Sequence, residues 1–270
     1  SDDQKFLQEE AKKFLEKEQS VNRNRSVLEN EENIDIDLWN KIVGLGWTGI
    51  RIPEEYGGLG LGHLELCVIA EELGRYLAPV PFSSSVYLFT EAIINYADDS
   101  IKKEVLPKLV SGEIVGTLAV AEELKAPSAE NINLSFNEGK INGTKIAVPD
   151  AEIATHTVVV AKTDSGVSLQ LVDLSENGVS IEKQENIDES RGYFSITFQD
   201  VESKLIGDNS TGWELYEYII NQAAVLFGYE QIGGSQAALD MAINYAKERY
   251  AFGRQIGSFQ AIKHKLADMY

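Results

Sequence analysis

The chain has 270 residues, 43% of them hydrophobic and 25% charged, which is ordinary for a folded protein of two domains or three small ones. Its formal net charge of -19 repels nucleic acid and anionic lipid, so neither is expected as a partner. No run of about 18 apolar residues predicts membrane insertion. The single cysteine, Cys67, excludes an intrachain disulfide and a Cys-rich metal site, and a reducing cytoplasm fits this composition.

Residues 1–113 are predicted to form an all-helical N-terminal domain. Apolar residues recur at helical spacing over 6–15 and indicate an amphipathic first helix. Asp37 is expected to cap a short helix that stops at Gly46. Further helices are predicted at 64–76, 84–96 and 101–109. The glycine-rich segment 52–62, IPEEYGGLGLG, precedes the helix predicted at 64–76. It fails the spacing of a dinucleotide-binding loop and is interpreted as a tight connection.

Residues 114–210 are predicted to form a β-domain, because the pattern changes from helical spacing to short stretches rich in β-branched residues. The predicted strands are 114–120, 140–148, 155–161, 167–172 and 193–198. Asn142-Gly143 is a dipeptide typical of a hairpin turn. With no helices between the strands, this spacing favours a compact antiparallel barrel or sandwich.

Residues 211–270 are predicted to be the first helices of a C-terminal helical domain. Helices are expected at 213–229 and 233–250. Small residues in the second helix would let neighbouring helices approach closely; they are Ala237, Ala238, Ala242 and Ala246. The chain ends inside a helical pattern with no stop signal, from which we expect an incomplete domain. The predicted fold class is therefore α+β, with helices at both ends and a β-domain between them.

Basic side chains cluster near the end of this acidic chain: Lys247, Arg249, Arg254, Lys263, His264 and Lys265. The segment 249–260, RYAFGRQIGSFQ, lies among them and resembles the R-x-x-F-G-x-x-I-x-x-F-Q motif of acyl-CoA dehydrogenases. Segments 52–58 (IPEEYGG) and 70–75 (AEELGR) agree with that family, as does the order of the domains. The sequences of segments 77–82 and 257–264 most resemble a bacterial branch of this family, in which steroid side chains and other bulky acyl groups are common substrates.

This resemblance implies an FAD-dependent enzyme that desaturates an acyl-CoA thioester between its α and β carbons. It implies an acyl-CoA substrate, an electron-transfer flavoprotein as electron acceptor, and an oligomer. A tetramer is expected, either homomeric or, as in some members of the bacterial branch, heteromeric.

The resemblance also assigns roles within the segment 249–260. A guanidinium can hold a pyrophosphate with several donors, and Arg249 would do so for the flavin dinucleotide. Phe252, Ile256 and Phe259 would line the adenine region, and Gln260 would form a hydrogen bond nearby. In this family these groups usually reach the flavin of a neighbouring subunit. The alternative is that the arginines merely flank a helix end.

No catalytic base can be named within the chain. The reaction needs a carboxylate within reach of the acyl α-proton. Most members of the family carry that glutamate at a position that would lie beyond Tyr270. A minority carry it on the helix predicted from Trp213, at the position that aligns with Ala223. An alanine cannot accept a proton.

The β-domain departs from the family pattern in two places. The usual T-E-P-x-x-G-S-D stretch reads AEELKAPSAE at 121–130, which keeps only Glu122 and Ser128, the latter a weak candidate for substrate contact. The usual K-x-W-I-T-N reads KIAVPD at 145–150, so Ala147 replaces a ring against the flavin and Pro149 replaces a hydroxyl donor. Losing both contacts would weaken flavin binding by about 2 to 4 kcal/mol.

These departures lead to the hypothesis of a split site, in which this chain offers its segment 249–260 to a partner's flavin. Two alternatives stay open, an ordinary homo-oligomeric dehydrogenase and a non-catalytic subunit or acyl-CoA-binding scaffold. No metal site is predicted, because His63, His156 and His264 are scattered along the chain without carboxylates at ligand spacing.

Overall fold

The computed structural model describes residues 1–18, 21–30, 32–188 and 190–270. The first region is helical, as the sequence predicts. Its α-helices are α1 (Asp2–Glu18), α2 (Val21–Glu29), α3 (Ile36–Gly44), α4 (His63–Arg75), α5 (Glu91–Tyr96) and α6 (Asp99–Val110). A π-helical segment, Ser83–Thr90, runs directly into α5, and every residue of this segment is buried.

The cap of α3 differs from the prediction. The residue that caps the helix is Asp35, whose carboxylate accepts a hydrogen bond from the backbone N–H of Leu38 at 2.9 Å. Asp37 lies inside the first turn, where its negative charge interacts favourably with the helix dipole, but Asp35 and not Asp37 is the cap. The sequence is ambiguous here because both aspartates precede the first apolar residues of the helix. Arg23 pairs with Asp35 and so connects α2 to this cap.

The middle region is one sheet whose strands are β1 (Gly116–Ala119), β2 (Ser135–Asn137), β3 (Lys140–Pro149), β4 (His156–Thr163), β5 (Gly166–Asp173), β6 (Val179–Lys183), β7 (Tyr193–Glu202) and β8 (Lys204–Ile206). The order across the sheet is β6-β7-β3-β2-β4-β5-β8, and β1 pairs with β4. The predicted fold class is confirmed. Most pairings are antiparallel, but β1 and β2 each pair in parallel with β4.

The hairpin turn predicted at Asn142-Gly143 is wrong. Both residues lie within β3, at a register shift opposite β7. The turn is four residues earlier, at Glu138 and Gly139, whose φ angles of 49° and 82° suit a tight turn between β2 and β3. Asn142 instead exchanges hydrogen bonds with Asp200 on β7, at 3.1 and 2.8 Å. A side-chain partner distant in sequence therefore overrides the local turn preference.

The last region contains α7 (Gly212–Glu248), a single helix of 37 residues, where the sequence predicts two helical stretches. It packs across α4, and two glycines allow a very close contact between the helices. A Cβ at Gly233 would lie 1.8 Å from the carbonyl oxygen of Glu71, and one at Gly74 would lie 2.0 Å from that of Glu230. The two helix backbones are therefore in direct contact. None of the helices that the structure describes is long and apolar enough to cross a membrane.

Candidate functional site

The segment that carries the family motif forms a short hairpin after α7. Strand β9 (Tyr250–Ala251) pairs with β10 (Arg254–Gln255), and the turn between them is Phe252 and Gly253, with φ of 54° and 77°. A 3-10 turn (Ile256–Ser258) leads into α8 (Gln260–Met269). We call residues 249–260 the hairpin arm.

The base of the hairpin arm is held firmly against the end of α7. The backbone N–H of Ile256 donates a 2.8 Å hydrogen bond to the carbonyl of Arg249, which closes the base of the hairpin. Gly257 lies so close to the helix that a Cβ there would be 2.8 Å from the carbonyl oxygen of Ala246. The arm is therefore a fixed extension of α7.

The five residues predicted to contact flavin lie together on the hairpin arm, and three of them, Arg249, Phe252 and Gln260, are exposed. Phe252 is 96% exposed, and its ring lies edge-on to that of Phe259 with centroids 6.3 Å apart. Ile256 is half-buried against the arm's base, and Gln260 is exposed beside His264. The guanidinium of Arg249 is exposed and has no hydrogen bond or ion pair to any residue that the structure describes.

A second arginine strengthens the cationic character of the hairpin arm. The guanidinium carbon of Arg254 lies 4.0 Å from the centroid of the Phe259 ring, which is a cation–π geometry. This contact fixes the ring and leaves the arginine donors exposed. The arm therefore presents two guanidinium groups and two aromatic rings, which is a surface suited to a phosphate and a purine base.

The β-region holds the other residues that the sequence singled out, and their polar groups are already engaged. The N–H of Ala147 donates to the amide oxygen of Gln184 at 2.8 Å. The carbonyl of Pro149 accepts from the Thr117 hydroxyl at 2.7 Å. Ser128, half-buried, donates its N–H to Asn131 at 2.7 Å and precedes a 3-10 turn.

Glu122 also serves the sheet, through a buried ion pair with Lys145. The ammonium of Lys145 is fully buried and lies 2.7 Å from Glu122 Oε1 and 3.0 Å from the carbonyl of Val120. Burial lowers the pKa of Lys145 to about 8, against the attraction of Glu122. Glu122 accepts further hydrogen bonds from the backbone N–H groups of Asn133 and Leu134. Burial raises the pKa of Glu122, but the hydrogen bond and charge of Lys145, together with the two amide hydrogen bonds, outweigh burial and lower this pKa.

Ala223 lies on the face of α7 that packs into the helical core, and it is fully buried. One turn further along α7 the helix reaches a cavity of about 750 Å³, bounded by α2, the end of α4, residues 77–82, Arg191 and α7. Its walls include Leu73, Val80, Phe82 and Phe227, so most of the lining is apolar. This size is typical of a site for a drug-sized ligand, on the order of 300–1,000 Å³.

A polar cluster that the sequence did not reveal lies at one side of this cavity. Arg191 lines the cavity and donates to the Ser83 hydroxyl at 3.1 Å and the Val80 carbonyl at 3.4 Å. Behind it, Asp150 is almost fully buried, 3.6 Å from the Arg191 guanidinium, and accepts from the Ser84 hydroxyl at 2.6 Å. Burial raises the pKa of Asp150, and Arg191 and Ser84 oppose that rise.

Asp188 and Glu230 are further charged groups on the cavity wall, and Glu230 lies two turns after Ala223 on α7. The buried Tyr87 hydroxyl donates to Glu230 Oε1 at 2.9 Å. Burial raises the pKa of the Glu230 carboxyl, while Arg191 and the Tyr87 hydroxyl oppose that rise. A signal for Glu230 was present in the sequence, because it is an acid at helical spacing from Ala223 within an otherwise apolar stretch.

The comparisons with known proteins agree with this architecture. A family model described as the acyl-CoA dehydrogenase N-terminal domain matches residues 1–113, and one described as the C-terminal domain matches residues 210–270. The chain belongs to the acyl-CoA dehydrogenase family. It is 29% identical to the mitochondrial isovaleryl-CoA dehydrogenase of Solanum tuberosum over 285 residues, covering 100% of this chain and 69% of that protein.

Solved acyl-CoA dehydrogenases share the fold. A variant of the Tcur3481-Tcur3483 steroid ACAD matches with a TM-score of 0.86 and 30% identity, over 99% of this chain and 73% of that chain. An acyl-CoA dehydrogenase from Bacillus anthracis, complexed with FAD, matches with a TM-score of 0.92 and 24% identity, over 100% of this chain and 48% of that chain. Acyl-CoA dehydrogenases use FAD, so the predicted cofactor is confirmed for the family.

No group of three or more His, Cys, Asp or Glu side chains in the described ranges could hold a metal ion. Two roles predicted from the resemblance are not addressed by these comparisons. The contacts of the hairpin arm with a flavin stay predictions, and so does the role of Ser128.

Proposed function

We propose that this acyl-CoA dehydrogenase chain contributes its hairpin arm to an FAD bound mainly by another polypeptide. The observation that carries the proposal is that one arm, fixed to α7, holds both the Arg249 guanidinium, which has no partner among the described residues, and the Phe252 ring, which is 96% exposed. A large exposed ring beside cationic groups is a feature of surfaces that bind a partner or a ligand. In this role Arg249 binds the pyrophosphate, and Phe252 and Phe259 pack on the adenine.

The residues of this chain at the positions that would contact the flavin ring do not suit that role. Ala147 supplies no aromatic ring, and its N–H already donates to Gln184. Pro149 has no N–H, and Glu122 is fully engaged by Lys145 and two backbone amides. The chain therefore keeps the arm for the nucleotide part of FAD but has weakened contacts for the flavin ring. This combination supports a flavin shared between two different chains.

The assembly is proposed to desaturate an acyl-CoA. The bound flavin supplies a hydride acceptor, and a carboxylate must remove the α-proton. Ala223 cannot do so, which favours a partner chain or a position outside residues 1–270 as the source of the base. The steroid ACAD among the relatives and the cavity of about 750 Å³ support a bulky acyl group as substrate. An electron-transfer flavoprotein is the proposed electron acceptor.

Measuring bound flavin in the chain alone and in the assembly tests this proposal. The chain would be purified alone and with a co-expressed acyl-CoA dehydrogenase paralogue from the same genome, and the flavin content read from the visible absorption spectrum. We expect little flavin in the lone chain and a stoichiometric band in the mixed oligomer. A stoichiometric band in the lone chain would contradict the split site and favour a homo-oligomer. A mixed oligomer without flavin would favour the non-catalytic scaffold.

Replacing Arg249 tests the arm directly. The substitution Arg249→Met is expected to weaken FAD binding to the mixed oligomer by roughly 10- to 100-fold, because it removes charge-assisted hydrogen bonds to a phosphate. The melting temperature of the lone chain should not change, since this guanidinium has no partner among the residues that the structure describes. Arg25→Met, at another exposed arginine, is the matched control and should leave FAD binding unchanged. Equal FAD affinity in both variants would argue against the role of Arg249.

A further inference from the structure

The cavity beside α7 combines apolar walls with three charged groups of the described residues, and the balance of these charges restricts what it can bind. Arg191, Glu230 and Asp188 line it. Asp150 lies directly behind Arg191 and offsets the guanidinium charge from inside the protein. Among the described residues, Arg191 is the positive group and Asp150, Asp188 and Glu230 are potential negative ones, so the cavity has no net attraction for an anion.

Arg191 and Glu230 both keep unused hydrogen-bonding capacity. Among the described residues, Glu230 accepts from Tyr87 through Oε1, and no residue bonds its second oxygen, Oε2. Arg191 uses one donor toward Ser83 and one toward Val80, out of five that a guanidinium carries. The cavity therefore offers donors from Arg191 and an acceptor from Glu230 within a lining that is mostly apolar.

Asp150 gives a second indication that the cluster is more than a packing feature of the core. Its Oδ1 is buried and has no hydrogen-bond partner among the residues that the structure describes. A buried carboxylate oxygen without a partner costs free energy, so the cluster is kept at the expense of stability. Clusters of this kind are more typical of ligand sites than of cores.

We propose that this cavity receives the distal part of a bulky acyl group that carries a hydroxyl, and that Arg191 and Glu230 recognise that hydroxyl as donor and acceptor. This inference rests on the proposed function, because it assumes that the chain's assembly binds acyl-CoA. A hydroxyl matches both partners at once, since its oxygen accepts from Arg191 and its proton is donated to Glu230. A terminal methyl would leave the remaining Arg191 donors and Glu230 Oε2 without a partner, and a terminal carboxylate would meet the charge of Glu230.

The position of Glu230 places the hydroxyl away from the reacting carbons. Glu230 follows Ala223, the position aligned with the alternative base, by two turns of α7, which is about 10 Å along the helix axis. The group that is recognised is therefore at the far end of the acyl chain, and Arg191 and Glu230 determine specificity without taking part in the reaction.

The test measures binding of acyl-CoA probes to the flavin-loaded oligomer by isothermal titration. The probes are straight-chain acyl-CoAs of increasing length that end in a methyl, a hydroxyl or a carboxylate. At the best chain length we expect the hydroxyl-ended probe to bind at least about tenfold more tightly than the methyl-ended one, a difference of about 1.4 kcal/mol. The carboxylate-ended probe should bind no better than the methyl-ended one.

Two variants connect this preference to Glu230. Glu230→Leu alone would leave the Tyr87 hydroxyl buried without a partner, so the double change Tyr87→Phe and Glu230→Leu is the main variant. It should reduce the preference for the hydroxyl to less than about threefold while the methyl-ended probe still binds. Glu230→Gln keeps an acceptor and should retain most of the preference. Glu214→Leu, at an exposed position of the same helix, is the matched control.

The outcomes separate this inference from the proposed function. Equal binding of methyl-ended and hydroxyl-ended probes at every length would overturn the inference and leave acyl-CoA binding intact. Tightest binding of the carboxylate-ended probe would also overturn it. Failure of every acyl-CoA to bind would overturn both the inference and the proposed substrate class. An unchanged preference in the double variant would exclude Glu230 as the recognising group.

Discussion

The substitution Gly233→Ala is expected to destabilise the chain by at least about 3 kcal/mol, because it inserts a methyl group between two helix backbones. The new Cβ would lie 1.8 Å from the carbonyl oxygen of Glu71 and 2.9 Å from the backbone nitrogen of Arg75. Neither atom can rotate away as a side chain could, so α4 and α7 must separate. Chemical denaturation of the wild type and the variant measures the loss.

The same helix supplies a matched control with the opposite sign. At Gly228, no atom of the described ranges lies within 4 Å of the position that a Cβ would occupy. Gly228→Ala therefore adds no clash and should stabilise the chain by about 0.5 to 1 kcal/mol through better helix propensity. A Gly233→Ala variant as stable as Gly228→Ala would mean that α4 and α7 are not in backbone contact.

The buried pair of Lys145 and Glu122 is the second place where a single substitution is expected to cause a large loss of folding stability. Lys145→Met should destabilise the chain by about 3 to 5 kcal/mol near neutral pH, because it leaves the Glu122 carboxylate buried without its cation. Lys140→Met, at an exposed position of the same strand, should change the free energy of unfolding by less than about 0.5 kcal/mol. Thermal or chemical unfolding of the three proteins measures both effects.

The pH dependence of this pair has a definite sign. The pKa of Lys145 is about 8 in the folded chain and about 10.5 when unfolded, so the unfolded state binds more protons between these values. Wild-type stability therefore gains a contribution from Lys145 as the pH rises through that window, and Lys145→Met lacks it. The difference in unfolding free energy between the two proteins should widen from about pH 7.5 to about pH 10. A difference that narrows would show that burial does not lower the pKa of Lys145.

Local patterns in the sequence were sufficient to predict most of the helices and longer strands. The helix predicted at 64–76 is α4 (His63–Arg75), and the strand predicted at 167–172 is β5 (Gly166–Asp173). Both have a strong apolar periodicity over several turns or alternations. The strands β2, β6 and β8 were missed because two of them have only three residues and β6 is mostly exposed.

Features that depend on distant partners could not be predicted in the same way. The approach of Gly233 to Glu71 depends on how two helices cross, and no pattern within α7 encodes it. The pairing of Arg191 with Asp150 joins two residues that are distant in sequence, one just after β3 and the other just before β7. The hairpin arm was recognisable because all of its residues are contiguous in the chain. The cavity and its polar cluster were not, because the fold assembles them from separate segments.

The left-handed conformation of Phe252 has a consequence for assembly. Bulky residues rarely adopt a φ of 54°, and the strain costs about 1 to 3 kcal/mol. That cost arises when the chain folds, before any partner is present. The ring and its neighbouring cations would thus meet another subunit already in position, so little conformational entropy remains to be lost on association. Docking through this arm should then behave as a rigid-body encounter without a coupled folding step.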